Sequence, residues 1–172
     1  MRNAVLLDTS FLITLADPRR PRHTTAKQYF QHFLGSRMPM MVSAIVVAEF
    51  CIRQELATLP LEQLLLLPFT HEDAIVAASF DFKAHKDGSE KDRQSLKDDL
   101  KIIGHAHVRN VGYLITDDAD TMFQYCETLR KEGRTHLRAI KLQTGFSLEH
   151  FTPDGQTDFP VVMEDPGEYQ AP

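Results

Sequence analysis

Several carboxylates in this sequence stand where a folded chain has little use for an ordinary surface acid. Val5-Leu6-Leu7 is an apolar run that stops on Asp8, followed by the hydroxyls of Thr9 and Ser10. An acid in that position either caps the next helix or faces a cation. Glu49, in VSAIVVAEFCIRQEL, lies on or beside the apolar stripe of Ile45, Val46 and Ile52. An ionised group on a core-facing stripe is unfavourable unless a cation or hydrogen-bond donors neutralise it. Two explanations stand: an ion pair with Arg53 one turn on, or a cleft that holds a metal.

Asp99 poses the same problem at the edge of the stripe Leu96, Leu100, Ile103 and His107. Its neighbour Asp98 falls three residues after Ser95, where a first-turn acid favours a helix N-terminus, and this leaves Asp99 without a structural role. Thr116 is followed by Asp117, Asp118 and Asp120, more acids than one helix cap requires. Crowded carboxylates raise each other's pKa unless a cation sits among them. An all-oxygen donor set suits Mg2+ or Mn2+, whereas no His/Cys group has zinc spacing.

The elements that must position these groups alternate between strand and helix. Ala4–Asp8, Met40–Ser43, Tyr113–Thr116 and Leu137–Leu142 read as strands, with Leu61–Leu67 open between helix and buried strand. Helices are expected over Thr9–Ala16, Arg22–Leu34, Ala44–Leu56 and Ala119–Lys131. Another is expected from a capping box at Thr70–Asp73 to about Lys83, and one from a Ser95 cap to Arg109. His85–Ser95, polar and charged, reads as an exposed loop. The alternation predicts an α/β sandwich around a mainly parallel sheet, whose functional groups gather outside the carboxyl ends of the strands. Asp8 and the Asp117-Asp118 pair both fall there. Gly104-His105-Ala106 places small residues for close packing against the sheet.

The chain has 172 residues, enough for one domain with a substantial core. Its net charge of −5 is concentrated in the final segment: five of the 24 acids lie between Thr152 and Pro172, which has no Lys or Arg, so the remainder is formally neutral. Acidity therefore does not exclude a polyanionic substrate. The domain reads as 1–151, with 152–172 an acidic, proline-containing tail. Arg19, Arg20, Arg22, His23 and Lys27 form either a solvated loop or a phosphate-contacting patch. Cys51 and Cys126 read as reduced thiols of a cytoplasmic protein. No apolar run approaches membrane-spanning length, and Asp8 interrupts what would otherwise suggest a signal peptide.

VLLDTSFLITL, SAIVVAEF, DDLKIIGHA and YLITDDAD, in this order and on these elements, resemble the PIN-domain nucleases, a family that includes the toxin ribonucleases of bacterial toxin–antitoxin pairs. The resemblance spans about Met1 to Leu142. It implies a three-layer α/β fold with a central, mainly parallel sheet flanked by helices. It implies catalytic and metal-binding roles for Asp8, Glu49, Asp99 and Asp118, with Asp120 at a fifth acidic position. Thr9, Ser10, Thr116 and Asp117 take supporting places. The register within each Asp-Asp pair stays open by one position; Asp99 is preferred because Asp98 has the capping role, and Asp118 from its T-x-D spacing.

The implied activity is divalent-metal-dependent endonucleolytic cleavage of single-stranded RNA, leaving a 3′-hydroxyl and a 5′-phosphate. An antitoxin protein and a homodimeric state are the implied partners. Two rivals remain. An aspartyl-phosphate enzyme is disfavoured because LLDTS lacks a second Asp two residues on, and because a receiver domain expects an acidic pair there. A non-catalytic PIN-like RNA- or protein-binding module is the alternative to an enzyme. His105 and His107 read as packing or surface groups.

Overall fold

Val5–Leu7 (β1) is wholly buried and occupies the centre of a five-stranded sheet in a computed structural model that describes residues 2–80 and 90–152. The other strands are Met40–Ser43 (β2), Leu64–Leu67 (β3), Tyr113–Thr116 (β4) and Arg138–Lys141 (β5). Their order is β3-β2-β1-β4-β5, and all four neighbouring pairs are parallel. A parallel sheet is covered on both faces, which is why β1, β2 and β4 read as nearly unbroken apolar runs rather than alternating ones. Leu7 lies opposite Ile115, so Asp8 and Thr116 emerge together at the carboxyl ends of the two central strands.

The helices are Thr9–Ala16 (α1), His23–Gly35 (α2), Ala44–Cys51 (α3), His71–Ser79 (α4), Glu90–Val108 (α5) and Met122–Lys131 (α6). They enclose a core that includes Leu6, Phe11, Leu12, Phe33, Phe50, Ile102, Ile103 and Leu114. None among the described residues is long and apolar enough to cross a membrane. Cys51 is exposed and Cys126 buried, both as free thiols.

The leucine run, left open between helix and buried strand, is an edge strand over Leu64–Leu67, with Leu65 and Leu66 about half exposed. Other sequence expectations are corrected. Helix α3 stops at Cys51 instead of Leu56, and Ile52 points to solvent, 85% exposed. Helix α5 begins at Glu90, so residues 90–95 are helical and Ser95 does not cap it. Glu, Lys, Arg and Gln are good helix formers, and their polarity alone had suggested a loop. Asp98 therefore lies well inside the helix and pairs with Lys101 at 2.7 Å. The expected loop residues 85–89, the extension of α4 to Lys83 and the tail from residue 153 lie outside the described residues.

The Thr70 capping box is present: Asp73 Oδ2 accepts from the Thr70 N–H at 2.6 Å and from its hydroxyl at 2.8 Å. Helix α5 ends with Asn110 at φ 52°, while the Val111 N–H reaches back to the Ala106 carbonyl at 2.9 Å. This left-handed closure turns the chain into β4.

Gly104 brings α5 against α4 rather than against the sheet. A Cβ at that position would lie 2.8 Å from the Ala77 Cα and 2.9 Å from its Cβ and N. Because the obstruction is backbone, the two helices would have to separate. Gly104→Val, which gains little in helix propensity, is expected to lower stability by about 1–3 kcal/mol. Urea denaturation of the two proteins measures this, and an unchanged midpoint would contradict the close-packing account.

Candidate active site

Asp8 is only 5% exposed, and its backbone N–H donates to the Ile115 carbonyl at 3.1 Å, tying β1 to β4 at their ends. It caps α1: Oδ2 accepts from the Ser10 N–H at 3.3 Å. The same oxygen accepts from the Ser10 hydroxyl at 2.6 Å and the Thr116 hydroxyl at 2.8 Å. Each hydroxyl in turn accepts an amide N–H, Ser10 from Asp117 at 2.8 Å and Thr116 from Asp118 at 2.9 Å. The two hydroxyls lie 2.9 Å apart, and each has lone pairs for the amide and one proton that Asp8 can accept. The strand-ending aspartate is thus a helix cap whose carboxylate is locked by the backbone after β4.

Glu49 reaches the same region from α3, which starts at Ser43 after β2; the Ser43 Oγ caps it by accepting from the Ile45 N–H at 3.2 Å. Glu49 Oε2 accepts from the Thr9 hydroxyl. The alternative ion pair with Arg53 does not form. Asp118 Oδ1 accepts from the amides of Asp120 at 2.9 Å and Thr121 at 2.8 Å, and its other oxygen accepts from the Thr121 hydroxyl. Asp120 is itself exposed and enters this arrangement through its amide.

Asp99 comes from α5 and is 9% exposed, with Oδ2 buried and without a hydrogen-bond partner. Burial, then the charges of Asp8 and Asp118, push its pKa up to about 8; a nearby Thr121 hydroxyl opposes this, and Glu49 adds to it. Burial also raises Glu49 and Asp8, with the hydroxyl bonds pulling each back. The three charges repelling Asp99 are the other three acids singled out by their sequence positions. Strands β1 and β4 and helices α3 and α5 therefore bring four carboxylates into one electrostatic neighbourhood.

The members of each Asp-Asp pair have different partners. Asp118 raises the pKa of Asp99; Asp98 pairs with Lys101 but also raises the pKa of Glu49, and Asp117 pairs with Arg22. Asp117 also accepts from the Thr14 hydroxyl at 2.8 Å and from Gln143 Nε2. Thr121, Thr14, Arg22 and Gln143 were not identified from the sequence as site residues. Thr121 was accessible as a capping residue beside the acidic cluster, but Gln143 carries no local signal because it arrives on the segment after β5.

The histidines stand outside this cluster. His105, wholly buried, makes a 2.9 Å bond from Nδ1 to Ser43 Oγ and lies beside Asp73. Burial holds its imidazole below the ordinary range. His107 contacts Thr135 Oγ1 at 3.1 Å.

Among the described residues no three His, Cys, Asp or Glu side chains are placed so that together they could hold a metal ion. The donor chemistry nonetheless fits a hard divalent cation: four carboxylates share a largely buried region, and one oxygen lacks any partner.

No protein-family model matches the sequence, and no curated protein matches it. Solved structures do match in fold. VapBC2 from Rickettsia felis, determined bound to a DNA fragment from its promoter, gives a TM-score of 0.52 at 15% identity, over 79% of this chain and 98% of that one. VapC20 from Mycobacterium tuberculosis, a Sarcin-Ricin loop cleaving toxin, gives 0.51 at 16% identity, over 78% and 99%. The likeness is one of architecture, and this chain has the PIN-like α/β fold.

The raised pKa of Asp99 has a consequence for the metal-free protein. Its folded value of about 8 exceeds the ordinary value of 3.8, so across that window the folded state retains a proton that the unfolded state releases. The contribution of Asp99 to stability therefore declines as pH rises from about 4 to about 8. Asp99→Asn is expected to flatten this part of the pH profile and to raise the melting temperature at pH 8 in chelator. Identical profiles for the two proteins would contradict the crowding of Asp99.

Proposed function

We propose that this protein is a divalent-metal-dependent endoribonuclease that hydrolyses single-stranded RNA. The observation that carries the reading is the convergence of Asp8, Glu49 and Asp118 on a buried Asp99 with an unpaired oxygen. These four side chains would hold Mg2+ or Mn2+, with Asp120 at the exposed rim as a fifth acid. A bound ion of this type supplies Lewis acidity and a water of lowered pKa for attack on a phosphodiester.

The chain's own contribution is orientation. Ser10 and Thr116 fix one oxygen of Asp8, Thr9 holds Glu49, and Thr121 with the amides after β4 holds Asp118. No described Ser, Cys or His nucleophile is required. The expected products are a 3′-hydroxyl and a 5′-phosphate. We assign the protein to the cytoplasm, as a homodimer that acts as the toxin of a toxin–antitoxin pair with an antitoxin protein as partner. The fold of the VapBC2 and VapC20 structures supports that reading.

Cleavage of a labelled single-stranded RNA in Mg2+ or Mn2+ tests the proposal. Activity is expected to vanish in EDTA and return when the metal is restored. Asp8→Asn is expected to reduce the rate by more than about 100-fold, the upper end for residues that only support a metal ligand. Circular dichroism should show the fold retained. Metal-dependent cleavage by Asp8→Asn would refute the assignment. Calorimetry showing no Mg2+ or Mn2+ binding to the parent protein would favour a non-catalytic PIN-like binding module.

A further inference from the structure

Arg22 belongs to the basic run that the sequence presents as a solvated loop or phosphate patch, yet its guanidinium turns inward. It pairs with Asp117 through Nε and through Nη2, the latter at 3.3 Å. The Asp117 side chain is only 7% exposed. Thr14 from α1 donates to the same carboxylate, and Gln143 Nε2 holds the Asp117 carbonyl at 2.8 Å. The loop supplying Arg22 is folded back on itself: the Arg20 N–H bonds the Asp17 carbonyl, and the His23 N–H bonds the Arg20 carbonyl, both at 3.1 Å.

The Asp117 backbone makes a further contact of its own. Its N–H donates to Ser10 Oγ at 2.8 Å, and that hydroxyl donates to Asp8 Oδ2 at 2.6 Å. A continuous chain of hydrogen bonds thus runs from Arg22 through Asp117 and Ser10 to Asp8. Two adjacent aspartates at a strand end are equally capable of turning toward a cation. A buried carboxylate must find a positive or hydrogen-bonding partner, and the guanidinium fork meets that need for Asp117. It leaves Asp118 as the member of the pair that faces Asp99.

We propose that Arg22 and Asp117 form a positioning clamp that sets the orientation of Asp8 and keeps Asp117 from competing as a metal ligand. The inference rests on the metal-site reading above. Arg22 is then a positioning residue for the metal site and not an RNA-phosphate contact.

The test uses the full chain with Arg22→Met, Arg22→Lys and the nearly isosteric Asp117→Asn, with Asp8→Asn as reference. Mn2+ affinity is measured without RNA by electron paramagnetic resonance, kcat and KM are measured separately, and amide exchange is followed at Asp117. Arg22→Met is expected to weaken Mn2+ binding and lower kcat by about 10–100-fold, the range for groups that orient metal ligands. KM for RNA should be unchanged, and the Asp117 amide should exchange faster. Arg22→Lys, which keeps the charge without the fork, should fall between Met and the parent. Asp117→Asn should show the same kcat loss with KM preserved, so the idea stays testable if Arg22→Met does not fold.

A raised KM with unchanged Mn2+ affinity would make Arg22 a substrate contact and overturn the clamp. If Asp8→Asn is inactive while the Arg22 and Asp117 variants match the parent, the clamp alone fails. If Asp8→Asn still binds Mn2+ and cleaves RNA, the metal-site reading fails with it.

Discussion

Like charges confined together govern this structure. A parallel sheet delivers the groups that follow its central strands to one end, and here those groups are acids. Asp8 leaves β1 and Asp118 leaves β4, while α3 and α5 add Glu49 and Asp99. Without a counterion the arrangement is relieved by raised pKa values at Asp8, Glu49 and Asp99. On the proposed function, a divalent cation would neutralise the same crowding. One physical conflict therefore accounts for the burial, the unpaired oxygen and the proposed chemistry together.

The carboxylates are not loose in this neighbourhood. Hydroxyls from Thr9, Ser10, Thr116 and Thr121 each engage one of them. Short hydroxyl side chains on rigid elements orient an acid without adding charge, so they preserve the negative potential on which cation binding depends. Two basic groups pair with the neighbouring aspartates, Lys101 with Asp98 and Arg22 with Asp117, and Lys101 also lowers the pKa of Glu49. An arginine placed among the four acids would substitute for the metal. Keeping it one residue away stabilises the surroundings instead.

The scaffold behind the site depends on the seating of α5, because Asp99 is carried on it. Gly104 allows α5 to approach α4 at Ala77, and the buried His105 joins α5 to Ser43 at the start of α3. Asp73, at the N-terminus of α4, accepts from Arg109 at 3.1 Å near the end of α5. Burial works to raise the Asp73 pKa, but the Thr70 bonds and the charges of His105 and Arg109 outweigh it and hold it low. Polar contacts between α3, α4 and α5 thereby locate both Glu49 and Asp99 relative to the sheet.

Much of this was legible in residue types and spacing. Apolar runs marked the strands, the expected helix Thr9–Ala16 matches α1 and Ala119–Lys131 overlaps α6 from Met122, and Asp8 and Asp117-Asp118 fell at strand ends because local pattern and parallel topology agree there. Residue order singled out Glu49 beside an apolar stripe, with an Arg53 ion pair as the alternative, and Asp99 through a capping role for Asp98 that a helix starting at Glu90 removes. Local pattern misjudged residues 90–95, where polarity masked helix-forming side chains, and Ala44–Leu56, where apolar spacing continued past the end of α3. It could not decide which aspartate of each pair faces inward. Lys101, one turn away, pairs with Asp98, and Arg22, distant in sequence, pairs with Asp117; only folding places the latter. Gly104 against Ala77 and Gln143 against Asp117 are likewise products of tertiary structure. Short-range preferences act through the backbone and are written in sequence spacing, whereas the partner of a buried charge is whatever the packed chain brings within hydrogen-bonding distance.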